Sequence, residues 1–372
     1  MPVPTSRGFE RLLRFGPYAL PVLALLAVWV LALYRPALTL GVISDGWVLL
    51  AVGSLGLRRA PFVLLGYHTI PVTHLFNAVL WKLFHLHETA YQLANLAEMG
   101  FVGWLIYLLG CVLFKRPRVA LLAALLFLAN SSFYEVSCWS VVGNFQSLAA
   151  IFYLGGVFAV HRALRSPRPA GWAALFALCV LLAFFTYEPA VSLLPVGLLQ
   201  AVLMPEQEGT SDWTLGSLVR RLRPFVLPAL AVALVVGVSK ALTSATGHPA
   251  MFLPRNLDEI KLRIFLLVRG CIAIFSLRGS DPKLYFLLSF GTTPGAGTML
   301  HKLLVGSWTL GLAAAALLMA WPRVPAVRFL VAWFAVHMLI VSAATGVVSR
   351  LVYLGAIPAA LLSSWLLWRG AE

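Results

Sequence analysis

The chain has 372 residues, of which 61% are hydrophobic and only 11% are charged. A soluble domain of this composition would leave far too much apolar surface in water, so a soluble globular protein is excluded. The formal net charge of +15 would suit a nucleic-acid partner, but the basic residues stand in twos and threes at the ends of apolar segments. We therefore attribute the charge to membrane topology and to contact with membrane lipids, and expect no nucleic-acid partner.

Apolar segments of roughly bilayer length recur along the chain, and the basic residues beside them indicate which side each end faces. The first predicted span covers residues 18–34 and follows Arg7, Arg11 and Arg14, which places the N-terminus in the cytoplasm. Residues 35–91 contain no uninterrupted apolar run of spanning length. They are predicted to form a first outer loop with short amphipathic helices that lie in the membrane interface.

Further predicted spans follow this loop, first between residues 93 and 242 and then between residues 300 and 368. Basic clusters such as Lys115, Arg116 and Arg118 alternate with loops that lack them, as alternating crossings require. The clearest bounds are 93–114 for the second span, 171–185 for the fifth and 224–242 for the seventh, with 300–321, 326–345 and 351–368 for the last three. The third span runs outward to residues 130–138, the fourth returns to His161, and the sixth ends near Met204. The pattern predicts an all-α, polytopic membrane protein of about ten transmembrane helices in a single domain over residues 1–372, with both termini cytoplasmic.

A second predicted outer loop covers residues 243–298 and holds an apolar segment, 257–277, that is interrupted by Lys261, Arg263 and Arg269. If that segment crossed the membrane, the basic residues beyond it would fall on the wrong side. We therefore predict that it is a re-entrant or interfacial helix.

Four charged residues are predicted to lie near the outer ends of spans, all on one face of the membrane: Asp45, Glu135, Glu188 and Arg350. Charges in such places are costly and need a reason. Carboxylates can act as general bases, and a guanidinium can bind phosphate. Simpler interpretations stay open, because Asp45 can cap a helix and Glu188 before Pro189 can lie in an ordinary turn. Glu135 can be solvated in a loop, and Arg350 can anchor a span in the headgroups.

The motifs around these charges resemble those of a known family. Asp45 stands early in the first outer loop, Tyr134-Glu135 ends the third span, Tyr187-Glu188-Pro189 joins two spans, and Ser349-Arg350 opens the last. With the long first loop, this arrangement resembles the GT-C superfamily of glycosyltransferases, in the branch of protein O-mannosyltransferases and bacterial aminoarabinose transferases.

This resemblance implies an enzyme of the cell envelope, in the bacterial inner (plasma) membrane. It would transfer a sugar from a polyprenyl-phosphate carrier to an extracytoplasmic acceptor, which is a glycan, a lipid or a protein. By position, Asp45 would be the catalytic base or would help to set a metal. Many relatives have two closely spaced acidic residues where this chain has Gly46 and Trp47 after Asp45. No cofactor or metal ligand is therefore assigned, and a divalent metal stays open.

Sugar transfer from a lipid phosphate needs a base for the acceptor hydroxyl and positive charge for the leaving phosphate. The catalytic candidates are Asp45, Glu188 and Glu135. The candidates for binding substrate or phosphate are Arg350, Arg255, Lys261, Arg263, His68 and Tyr187, with Lys240 and Arg269 as further cations. The alternative is that these cations only contact anionic lipid headgroups.

No nucleotide-binding motif is present in the sequence, which favours a lipid-linked donor over a nucleotide sugar. Two other classes stay open: a transporter or flippase of lipid-linked sugars, and a non-catalytic membrane subunit related to such enzymes. A transporter should carry charge deep within its spans. The expected charges lie instead at one face, and this favours the enzyme.

Overall fold

The computed structural model describes residues 16–42, 45–63, 68, 70–130, 134–204, 214–244, 324–344 and 352–372, with single positions between 257 and 274. The described residues form α-helices and short 3-10 helices, with no strand among them, which confirms the all-α fold class.

The helices of the first half are α1 Gly16–Tyr34, α2 Asp45–Ser54, α3 Pro71–Phe84, α4 Glu88–Phe114, α5 Pro117–Leu128 and α6 Tyr134–Cys138. Those of the second half are α7 Ser140–Ala163, α8 Pro169–Thr186, α9 Leu193–Leu203, α10 Leu215–Ser244, α11 Pro325–Ala344 and α12 Tyr353–Ala371. The 3-10 helices are Arg35–Thr39, Ala60–Phe62 and Glu188–Ser192. Proline stands in the first turn of α3, α5 and α8, where its missing N–H leaves no bond unmade.

Among the described residues, five helical segments are long and apolar enough to cross a membrane: Tyr18–Thr39, Glu88–Phe114, Ser140–Ala163, Pro169–Thr186 and Leu215–Leu242. They coincide with the predicted first, second, fourth, fifth and seventh spans. Shorter apolar helices, Pro117–Leu128, Glu188–Leu203 and Pro325–Val341, coincide with the third, sixth and ninth. The last predicted span corresponds to α12, and the span over 300–321 lies outside the described residues.

The centre of the bundle is the antiparallel pair α7 and α8, with α4 on one side and α9 on the other. Small residues let these helices approach closely, as is common between membrane helices. A Cβ added at Gly156 of α7 would lie 2.6 Å from the Leu193 side chain, and one added at Gly110 of α4 would lie 2.8 Å from Ala120. α1 and α10 lie at the periphery, and their apolar side chains are largely exposed to the surroundings.

The predicted first outer loop contains α2, the 3-10 helix Ala60–Phe62 and α3, which pack on one another, on the start of α7 and on the end of α8. We call this end of the bundle the outer end, after the side of the membrane that the sequence predicts for it. α2 and α3 nearly touch at Gly53, where an added Cβ would lie 2.8 Å from the Asn77 carbonyl oxygen. His85, with a φ of 46°, ends α3. α4 then begins at Glu88, five residues before the predicted span. The interfacial position of these helices stays a prediction.

Candidate functional site at the outer end of the bundle

Glu188 lies where the chain leaves α8 and turns into α9. Tyr187 is extended, with φ −153° and ψ 106°, and Glu188 then opens a short 3-10 helix with Pro189 in its first turn. Pro189 has no N–H to donate to the carbonyl oxygen of Phe185, so the hydrogen-bond ladder of α8 stops before it. The sequence thereby places this carboxylate at the end of the bundle.

Both oxygens of the Glu188 carboxylate have partners. The His68 Nδ1–H donates to Oε2 at 3.0 Å, and the Lys240 ammonium donates to Oε1. The Glu188 side chain is 14% exposed, that of Lys240 23% and that of His68 44%. We call these three residues the Glu188 cluster. A carboxylate this deeply placed needs a cation beside it, and Lys240 supplies one.

Aromatic rings surround the buried side of the Glu188 cluster. The Lys240 ammonium lies 5.9 Å from the centre of the Phe184 ring, within the range of a cation–π interaction. The ring of Tyr187 is buried and lies 5.9 Å from that of Phe145 on α7. Tyr187, predicted to contact substrate, is thus placed as part of the packing beneath Glu188.

Two hydrogen-bond groups fix the backbone on either side of Glu188. Before it, the Thr73 hydroxyl of α3 donates to the Thr186 carbonyl oxygen at 2.6 Å. After it, the Ser192 hydroxyl lies 2.7 Å from Nδ1 of His337 on α11 and 3.2 Å from the Tyr153 hydroxyl on α7. Three other helices, α3, α7 and α11, therefore hold the turn that presents the carboxylate.

Asp45 is exposed and lies in the first turn of α2, where its charge complements the helix dipole. The next residue, Gly46, packs on the start of α7, since a Cβ added there would lie 3.6 Å from that of Val141. Phe145, which contacts Tyr187, is one turn further along the same helix. Asp45 and Glu188 therefore lie at the same end of the bundle, as their predicted sidedness requires.

Most of the other predicted site residues lie outside the described residues. Glu135 belongs to the short helix α6, which packs on the start of α7, but its side chain lies outside the described residues. Arg350, Arg255 and Lys261 also lie outside them. Arg263 is partly buried.

Two features were missed or misjudged from the sequence. His74 of α3, which the sequence does not distinguish from His68 in the same loop, is wholly buried, and this burial lowers the pKa of its imidazole below the ordinary value. The expectation that charge is absent from the interior of the spans is wrong for Glu98 of α4. Its Oε2 is shielded from the surface and has no hydrogen-bond partner among the described residues.

In the described part of the chain, no three side chains of His, Cys, Asp or Glu converge, so we assign no divalent-metal site there. Comparison of the chain with protein-family models, with curated proteins and with solved structures finds no match. The likeness to GT-C glycosyltransferases therefore depends on short motifs and predicted topology.

Proposed function

We propose that this chain is a GT-C type glycosyltransferase with about ten membrane crossings and both termini in the cytoplasm of a bacterial cell. It moves a sugar from a polyprenyl-phosphate carrier to an acceptor on the extracytoplasmic side of the inner membrane. The observation that carries the proposal is the Glu188 cluster, a carboxylate between an imidazole and an ammonium group at the outer end of an apolar bundle.

The cluster contains the groups that such a transfer needs. Lys240 can exchange the Glu188 carboxylate for the phosphate of the carrier, because both are anions of similar hydrogen-bonding ability. Glu188 would then keep its hydrogen bond to Nδ1 of His68 and so fix the tautomer of the ring. The partly exposed imidazole of His68 and the Asp45 carboxylate at the start of α2 are our candidates for the general base.

The reaction forms one bond and breaks one. The acceptor oxygen attacks the anomeric carbon, and the bond from that carbon to the phosphate oxygen breaks with its electron pair on the phosphate. The proton of the acceptor hydroxyl passes to Asp45 or to His68. Lys240 stabilises the charge that develops on the departing polyprenyl phosphate, with Arg350 and the other cations of the second outer loop as proposed helpers.

The test uses purified protein in liposomes and a panel of polyprenyl-phosphate monosaccharides labelled in the sugar. Release of free polyprenyl phosphate and transfer of label to water or to an added acceptor are both measured. We expect Asp45→Asn and Lys240→Met each to reduce release by about 100-fold or more, with normal membrane insertion. Lys240→Arg, which keeps the charge, should retain much more activity than Lys240→Met. Full activity in both Asp45→Asn and Lys240→Met would reject the proposal.

A transporter or flippase of lipid-linked sugars is the second candidate, and Glu98 is the observation that favours it. This carboxyl lies ten residues into α4, about 15 Å from the start of the helix, where transporters commonly place functional charges. Transport would appear as movement of labelled lipid-linked sugar across the liposome membrane that depends on Glu98 and not on Asp45. A protein with neither activity would instead be a non-catalytic subunit.

A further inference from the structure

The interior of the bundle holds a second polar feature, separate from the Glu188 cluster. Gln92, Asn95 and Glu98 follow one another at intervals of three residues along α4, about 4.5 Å apart along the helix axis. Gln92 and Asn95 have no exposed surface. The three side chains form a row that leads inward from the outer end of the helix, and we call it the α4 row.

The orientation of the two amides is fixed by short helix α6. The Gln92 side-chain NH2 donates to the Ser137 carbonyl oxygen at 2.5 Å, and that of Asn95 donates to the Val136 carbonyl oxygen at 2.7 Å. Since the amide nitrogens are held by these acceptors, the amide oxygens have to point elsewhere. Gln92 Oε1, Asn95 Oδ1 and Glu98 Oε2 are all buried, and none has a hydrogen-bond partner among the described residues.

Neighbouring helices add hydroxyl groups at the depth of Glu98. A Cβ added at Gly143 of α7 would lie 2.5 Å from the Asn95 amide, so these residues are level. One turn deeper, Ser147 is level with Glu98. The Ser147 hydroxyl lies 3.4 Å from that of Tyr353 on α12, and Tyr353 interacts electrostatically with Glu98.

A helix end contributes further negative potential to this region. The Tyr34 hydroxyl donates to the Leu128 carbonyl oxygen at 2.8 Å, at the end of α5, and the neighbouring Phe127 ring lies 5.2 Å from the ring of Tyr353. The carbonyl end of a helix carries partial negative charge, and such ends help to coordinate cations in membrane proteins. No cation is among the described contacts of the α4 row.

We propose that Gln92, Asn95, Glu98, Ser147 and Tyr353 form a binding site for one monovalent cation, of the sodium type, that enters from the outer face. Buried acceptors without donors are unfavourable, and a cation would satisfy several of them together. The ligands are hard oxygens, which suit alkali and alkaline-earth ions rather than soft metals. A single carboxylate among neutral oxygens balances one positive charge and not two.

The test is binding of radioactive sodium to the purified full-length protein in detergent, at constant ionic strength and with choline as the inert cation. We expect saturable binding in the unmodified protein and loss of binding in Glu98→Gln. The matched control is Glu88→Gln, which removes the same charge ten residues earlier on the same helix and should bind sodium normally. Tyr353→Phe, which keeps the ring, should weaken binding between about threefold and tenfold.

A protein that binds no sodium, lithium or potassium in this assay would overturn the proposal, and so would equal binding in Glu98→Gln and the unmodified protein. If Glu98→Gln does not fold, Tyr353→Phe and Ser147→Ala decide, because unchanged binding in both would also reject the site. None of these measurements depends on sugar transfer, so their outcomes are independent of the proposed glycosyltransferase activity. The same binding assay on Asp45→Asn, which should bind sodium normally, separates the two directly.

Discussion

Two glutamates of this bundle occupy opposite electrostatic situations. Glu188 stands at the outer end, with an imidazole and an ammonium group on its two oxygens. Glu98 stands within α4, beside amides and hydroxyls, and its Oε2 has no partner among the described residues. Glu188 already has a cation beside it, so an anionic substrate would have to displace its carboxylate from that cation. The oxygen atoms around Glu98 are hydrogen-bond acceptors, and a bound cation would give them a partner. We therefore expect the partners of each carboxylate, rather than its depth alone, to decide what it can bind.

The largest effect is expected from a substitution at Gly143, which lies beside the α4 row and not beside the Glu188 cluster. In Gly143→Ala, the new Cβ would lie 2.5 Å from the Asn95 amide and closer still to the Val136 carbonyl oxygen, so α7 would be pushed from α4 and α6. We expect a loss of about 3 kcal/mol in the free energy of unfolding, and loss of sodium binding. Denaturant titration in detergent measures the first. Gly171→Ala, where nothing lies within 4 Å of the new atom, is the matched control and should be neutral or slightly stabilising.

The next largest effect is expected from a variant that disrupts only the Glu188 cluster. Lys240→Met leaves the carboxylate, 14% exposed, without its ammonium partner, and we expect it to cost about 2 kcal/mol of stability. The double variant Lys240→Met/Glu188→Gln removes both charges and should recover part of that loss. Sodium binding should be unchanged in both variants. Equal stability of Lys240→Met and the unmodified protein would show that the pair is not formed.

The smallest effect concerns His74, a buried residue of α3 next to the 3-10 helix Ala60–Phe62. Burial lowers the pKa of its imidazole in the folded protein, so the unfolded chain binds a proton more readily. His74 therefore contributes stability above its ordinary pKa of about 6.5, and this contribution decreases as the pH falls below that value. Melting temperatures measured between neutral and mildly acidic pH should decrease less in His74→Asn. An identical slope in both proteins would contradict the assignment.

The sequence predicts the positions of the helices better than it predicts which side chains pair between them. Long apolar runs identify α1, α4, α7, α8 and α10 because lipid imposes length and composition on any crossing. The end position of Glu188 follows from the proline after it. Its pairing with Lys240, 52 residues away, and with His68, 120 residues away, depends on how three segments pack, which no local pattern encodes. Lys240 was counted only as one of several loop cations, although it belongs to α10.

Glu98 was overlooked for a different reason. A single carboxyl hardly changes the mean hydropathy of a 27-residue apolar helix, so a search for apolar runs does not single it out. Its surroundings come from α6, α7 and α12, and the amides of α4 are turned by carbonyls about forty residues further on. Such an arrangement of acceptors can be recognised only when the helices have been placed side by side.

The peripheral position of α10 has a consequence for how a long isoprenoid chain would reach the Glu188 cluster. This helix is the least buried of the five long apolar segments, yet its outer end carries Lys240 toward Glu188. A carrier could therefore remain dissolved in the bilayer along the flank of α10 and bring only its headgroup sideways to the ammonium group. No aqueous passage would be needed, and the acceptor could approach from the opposite, water-facing side.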